Sequence, residues 1–195
     1  MWAVMTEALK LLTAAAAAVT PDQRDAPTPC TEWTTTQVLQ HAAGDQLAWA
    51  AALGLGNGPD DNPFDPSGKL DRPLDELVAT AVAAAQSAWA TVTEIDGSVP
   101  TPLPQGPLPT ATAAAACALD AAVHAWDVLT AVGVPAGLSP ELAAQLLPAA
   151  REIVEPLRQY GVYAAALTPE PDDEATTELL RYLGRNPDWR SRTGR

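Results

Sequence analysis

Much of the apolar content of this chain is alanine, and that narrows its fold more than any other feature. Alanine contributes little burial area per residue but has the highest helix propensity. A chain that is 47% hydrophobic and weighted this way is expected to pack helices closely rather than build sheet. Its 195 residues fit one domain around one core. Six Trp against a single Phe must then supply much of the bulky packing, usually with each indole N–H on a partner.

The punctuation agrees with an all-α reading. Trp2–Val19 carries Leu9, Leu11 and Leu12 among alanines with neither Gly nor Pro, and Thr20-Pro21 supplies a stop and restart. Thr34 is the expected N-cap of a second helix, Thr35–Leu53, where Val38, His41, Ala42 and Trp49 recur at helical spacing. Gly54–Asp71 is dense in Gly, Pro, Asn and Asp, which marks a long surface loop that either covers a site or only connects. After Asp71 and Pro73 a third helix runs from Leu74 to Val92. A proline-rich crossing between Gly97 and Pro109 is too rigid and donor-poor for a helix or central strand. Thr110–Val132 is a fourth long helix ended by Gly133. Ser139-Pro140-Glu141 starts a fifth, in which Pro148 and Pro156 predict a kink or a division. A last helix spans about Asp173 to Leu183 and closes on Gly184 at C′. One domain over residues 1–188 and a polar, basic tail over 189–195, expected to fray, is the organisation these signals give.

The net charge of −13 and pI near 4.3 set up a field that repels phosphate backbones and anionic bilayers, so neither nucleic acid nor membrane is an expected partner. No apolar run reaches the length of a span, and the first apolar stretch lacks the flanks of a signal peptide; the expectation is a cytoplasmic protein. Two cysteines, Cys30 and Cys117, are too few for a disulfide framework and read as small buried hydrophobes. Nucleophile-elbow, Walker-type, dinucleotide and paired C-x-x-C motifs do not occur.

With only two histidines in the chain, their placement is informative. Asp120 and His124 stand four residues apart, so both project from one helix face about 6 Å apart, within reach of a shared cation. Ala121, Ala122, Val123 and Ala125 around them turn that face inward, where a carboxylate needs a partner. His41, beside Ala42, Ala43 and Gly44 on another helix, completes a three-ligand set with a position open for water or substrate. The competing reading has both rings satisfied by core hydrogen bonds. Asp45, one turn after His41, is a catalytic candidate that would act as a further ligand or orient the imidazole, against the plainer reading of a solvated helix face. Cys117 and Trp49 read as core, with Trp49 on the side of any pocket near His41, and Asp127 reads as a structural acceptor.

Three stretches together resemble a known family. Pro27-Thr28-Pro29-Cys30-Thr31-Glu32-Trp33-Thr34 followed by Val38-Leu39-Gln40-His41 is similar to the opening motif of actinobacterial DinB-like metal-binding proteins related to the N-terminal domain of mycothiol-dependent maleylpyruvate isomerase. Asp120–Asp127 with its His-Ala-Trp-Asp resembles that family's second motif, and Leu179–Pro187 its C-terminal Leu-Gly-Arg-Asp-Pro signature. The resemblance implies a DinB-like four-helix bundle with additional short C-terminal helices, and a divalent metal on His41, Asp120 and His124. It also implies mycothiol as a co-substrate and, at family level, a homodimer. The isomerases carry Glu where this chain has Asp120, and they possess an added C-terminal domain that is not expected within these 195 residues. Many relatives also place an Arg just past the second motif, where this chain reads Val128-Leu129-Thr130. The expectation is therefore thiol chemistry on another substrate.

The first functional expectation is a metal-dependent transferase or isomerase acting on a small molecule through a mycothiol-type thiol. Zinc is the first choice of metal because imidazole and carboxylate suit it, with nickel, iron or manganese able to take the same ligands. A metal-dependent hydrolase, lyase or cyclase of secondary metabolism is the second reading, and a non-catalytic helical ligand-binding protein the third.

Overall fold

Alanine at contact positions lets helices approach closely, and the chain uses this to stack four of them. In the computed structural model, which describes residues 2–93 and 97–191, α1 (Ala3–Ala18), α2 (Thr35–Ala52), α3 (Leu74–Ala90) and α4 (Thr110–Ala131) form the bundle. α1 lies mainly along α4, and α2 is flanked by α3 and α4. Two helices are added at the C-terminal side, α5 (Pro140–Arg158) and the short α6 (Ala175–Tyr182). The fold is an all-α DinB-like bundle.

α4 is the central element: Ala113, Ala114, Ala118, Ala121, Ala122 and Ala125 are all fully buried, which only methyl-sized side chains allow on several faces of one helix. Larger side chains fill what remains. Leu9, Leu12, Leu39, Leu119 and Leu142 are essentially inaccessible, each contributing about 1.5–3 kcal/mol relative to exposure. Trp49 and Trp89 pack at a centroid distance of 6.0 Å, and Trp2 meets Trp89 edge-on at 6.3 Å, so the tryptophans do carry the bulky packing between α1, α2 and α3.

The expected stops and starts fall where the local chemistry puts them. Thr34 and Gln37 form a reciprocal capping box at the start of α2, Ser139 caps α5 through Leu142 N–H, and Gly133 takes a φ of 76° just past α4. The proline-rich crossing forms only a two-residue antiparallel ladder, Ser98–Val99 (β1) with Leu108–Pro109 (β2), and Pro109 sits at its end, where its missing N–H costs no ladder bond.

Of the kink or division expected in α5, the division does not occur: the helix runs as a single element of 19 residues through Pro148 and Pro156. Its buried stripe, including Leu142, Leu146, Ala150, Ile153 and Leu157, continues past both prolines. Packing of a whole amphipathic face holds the helix together, and Pro156 lies in its last turn, where few hydrogen bonds remain to be broken. The segment 54–71 folds back on α2, with Gln37 Nε2 donating to Pro66 O (3.0 Å), Gln40 Nε2 to Lys69 O (2.7 Å) and Gly68 N to Gln40 Oε1 (2.8 Å). Among the described residues no helix is long and apolar enough to cross a membrane. Of the tail, residues 192–195 lie outside the described residues.

Candidate metal centre

Three backbone devices aim side chains at one end of the bundle. The loop before α2 is pinned by Thr28, whose hydroxyl donates to Trp33 O (2.9 Å), while Thr36 Oγ1 reaches Arg24 O (2.9 Å). This presents Cys30 and Trp33 to the interior. The loop 54–71 passes tightly over Gly44, where an added Cβ would lie 2.9 Å from Pro63 Cγ, and so sets Pro63 and Phe64 against His41. The third device is the end of α6, which delivers Arg185 from the far side of the sequence.

The structure brings His41, Asp120 and His124 together. Their ligand atoms lie within 4.8 Å of one another, with Asp120 Oδ1 at 3.3 Å from His41 Nε2 and 3.5 Å from His124 Nε2. The outer nitrogens decide the tautomers. His41 Nδ1 is 2.9 Å from Pro63 O, a carbonyl that can only accept, so that nitrogen carries the hydrogen. His124 Nδ1 is 3.0 Å from Asp127 Oδ2, an ionised carboxylate that likewise only accepts. With Nδ1 carrying the hydrogen, each ring in its neutral form turns the Nε2 lone pair toward Asp120, and in its protonated form donates Nε2–H to that carboxylate.

Two lone pairs facing a carboxylate is an arrangement that needs a positive charge among them. Burial alone would lower the His41 pKa, but the hydrogen bond and charge of Asp120 outweigh it and raise it above the ordinary imidazole value. Burial likewise works against ionised Asp120, and the charge of His124 and the hydrogen bond from His41 prevail to hold its pKa low. Asp120 Oδ2 is buried without any hydrogen-bond partner. Two imidazoles, one carboxylate and an unsatisfied buried oxygen fit a divalent cation.

The trio opens on a cavity of about 1010 Å³, within the range of small-molecule sites. Trp33 lies 4.7 Å from the His41 ring and Phe64 5.3 Å from it, centroid to centroid. Asp45 also lines this cavity and stands outside the close trio. Burial, then the charge of Asp120, push its carboxyl up to about 8, opposed by His41 and by a hydrogen bond from the Trp49 indole. It is not part of a solvated face, and the carbonyl of Pro63, not Asp45, orients His41.

Asp127 is an acceptor, as its sequence context indicates, but its second partner was not foreseen. Arg185 donates from Nη2 to Asp127 Oδ2 (3.1 Å) and approaches Oδ1 with Nε (3.5 Å). Burial disfavours the Asp127 charge, and the guanidinium outweighs it, holding the carboxylate below its ordinary pKa. Cys30 joins His124 and Asp127 in a second close group; burial, with the Asp127 charge next, pushes its thiol up to about 12. Cys117 lies in the core as expected, donating to Gln46 Oε1 (3.2 Å). The pairing of Arg185 with Asp127 was missed, although Arg185 had a usable signal as the residue directly after the helix-ending Gly184.

Residues 5–129 match the family described as the mycothiol maleylpyruvate isomerase N-terminal domain. The chain belongs to that family. Two further members of similar length are uncharacterized proteins from two strains of Mycobacterium tuberculosis, each 35% identical over 173 residues covering 86% of this chain and 87% of theirs. A crystal structure of a mutant mycothiol-dependent maleylpyruvate isomerase superposes with a TM-score of 0.58 at 18% identity, over 74% of this chain. The chain spans 65% of that isomerase's length. At that identity the superposition establishes the shared DinB-like fold. The family match covers α1 to most of α4, and so includes His41, Asp120 and His124; α5, α6 and Arg185 lie beyond it.

Proposed function

We propose that this chain is a metal-dependent enzyme acting on a small molecule, with a low-molecular-weight thiol of the mycothiol type as co-substrate, in a transfer or isomerisation reaction. His41, Asp120 and His124 would hold one divalent ion, zinc first and nickel, iron or manganese as alternatives. The carrying observation is the convergence of two imidazole Nε2 atoms on Asp120 Oδ1, with Oδ2 of the same carboxylate unpartnered, beside a cavity. The family relationship supports the thiol.

Such an ion supplies Lewis acidity, lowering the pKa of a coordinated thiol so that thiolate is present at neutral pH. The chain's own residues do the rest. Pro63 O and Asp127 fix the ring orientations through the Nδ1 hydrogens. Trp33 and Phe64 flank His41 and limit water beside it. Asp45, with a carboxyl that titrates near neutral pH, is the group in the cavity suited to hold and release a proton at its carboxylate oxygen.

The test is metal analysis of protein purified without added metal, followed by incubation with mycothiol and a panel of electrophiles. One ion per chain in the wild type, lost in His41→Ala and in His124→Ala, with an ion-dependent conjugate or isomer, is the expected result. A wild type that takes up no ion even from added zinc would overturn the metal centre. Stoichiometric ion without thiol chemistry on any electrophile would move the assignment to metal-dependent hydrolysis, elimination or cyclisation.

A further inference from the structure

The C-terminal Leu179–Pro187 stretch has no place in the chemistry so far, yet its backbone is built to deliver one side chain. Gly184 N donates to Arg181 O (3.0 Å) and Arg185 N to Leu180 O (2.8 Å), the paired bonds of a Schellman ending, with Gly184 at a φ of 78°. A Cβ there would come within 2.8 Å of Ala164 Cβ and Ala165 O, so the turn accepts only glycine without displacement. The turn sends Arg185 inward, where it is 7% exposed. Three of its five N–H groups have protein partners: Nη1 donates to Leu183 O (3.2 Å), and Nη2 and Nε to the two oxygens of Asp127. Asp127, itself 0% exposed, uses one oxygen, Oδ2, both for Arg185 and for the Nδ1 hydrogen of His124.

Arg185 borders the cavity, but the fork formed by its Nε and Nη2 is occupied by Asp127. A purely stabilising role is a weak explanation, because a buried ion pair contributes little beyond what packed apolar side chains would. What the arrangement does provide is direction. The guanidinium fork holds both Asp127 oxygens in one plane, Asp127 holds the His124 ring by Nδ1, and the ring's other nitrogen then points at Asp120.

We propose that Arg185 is a positioning residue of the metal centre, coupling the end of α6 to His124 through Asp127. The inference rests on the reading of His41, Asp120 and His124 as metal ligands. Arg185 acts on the ion through Asp127 and His124 and is not itself a ligand. It sets how well His124 is aimed, and so how tightly and with what coordination the ion is held.

Zinc affinity by competition with a chromophoric chelator, and the visible spectrum of the cobalt(II)-substituted protein, test this without reference to activity. Arg185→Met is expected to weaken zinc by about 10- to 100-fold and to change the cobalt spectrum, with Arg185→Lys recovering part of the affinity. Circular dichroism and melting of the metal-free proteins report folding. Should Arg185→Met not fold, the neutral pair Asp127→Asn with Arg185→Met removes the unmatched buried charge, and the same weakening is expected there. Affinity and cobalt spectrum indistinguishable from wild type in either folded variant would overturn the proposal. A wild type that binds no zinc fails differently, since it removes the metal reading itself.

Discussion

The imidazole of His124 separates two regions with opposite electrostatic character. On its Nδ1 side, Asp127 is fully buried and both its oxygens have protein partners, which closes the array formed with Arg185. On its Nε2 side, His41 and Asp120 face a cavity, and one carboxylate oxygen has no partner. A carboxylate faces the ring on both sides. The difference teaches that a carboxylate completed by a guanidinium holds a ring in place, whereas one left with an unpartnered oxygen is suited to a ligand.

The largest effect should come from opening the closed side. Asp127→Ala leaves Arg185 buried without its counter-charge and is expected to cost about 3–5 kcal/mol of stability, read by urea denaturation of the metal-free protein; a cost no larger than that of Asp120→Ala would erase the contrast. Next, zinc held at about 100 times its dissociation constant should stabilise the wild type by about 2.7 kcal/mol and leave Asp120→Ala unmoved. A zinc-induced rise in melting temperature that persists in Asp120→Ala would place the ion elsewhere.

The open side should also show itself in pH dependence. Asp45 titrates near 3.8 when unfolded and near about 8 in the fold, so between these values the folded state keeps a proton the unfolded state has lost. Stability of the metal-free protein therefore falls as pH rises through that window. Asp45→Asn should flatten the slope, and equal slopes for the two proteins would remove Asp45 from the electrostatics of the cavity. The smallest effect belongs to Phe64, 55% exposed over His41. Phe64→Ala should cost about 1 kcal/mol or less while speeding zinc loss to a chelator; an unchanged release rate would show that the loop does not shield the ion.

Local chemistry made much of this legible in one dimension. The capping box at Thr34 and Gln37, the glycines at 133 and 184 and the Asp120–His124 spacing depend on neighbours within a turn, and such rules hold in most contexts. The continuity of α5 through Pro148 was not legible, because the penalty at one residue is outweighed by a buried face spread over the whole helix. Nor was the covering role of the loop 54–71, since the bonds from Gln37 and Gln40 that dock it span 28 or 29 residues and leave no periodic trace.

The sequence by itself determined an all-helical bundle and nominated two histidines and an acid, because helix propensity, capping and i,i+4 spacing act over short range. Only the tertiary structure decided that His41 meets Asp120 across 79 residues, that Asp127 answers to Arg185 across 58, and that the acid on one side of His124 is fully paired while the other side opens on a cavity with an unpartnered oxygen. Side-chain convergence depends on how whole helices stack, and burial, which sets the cost of every unpartnered charge, exists only once they have.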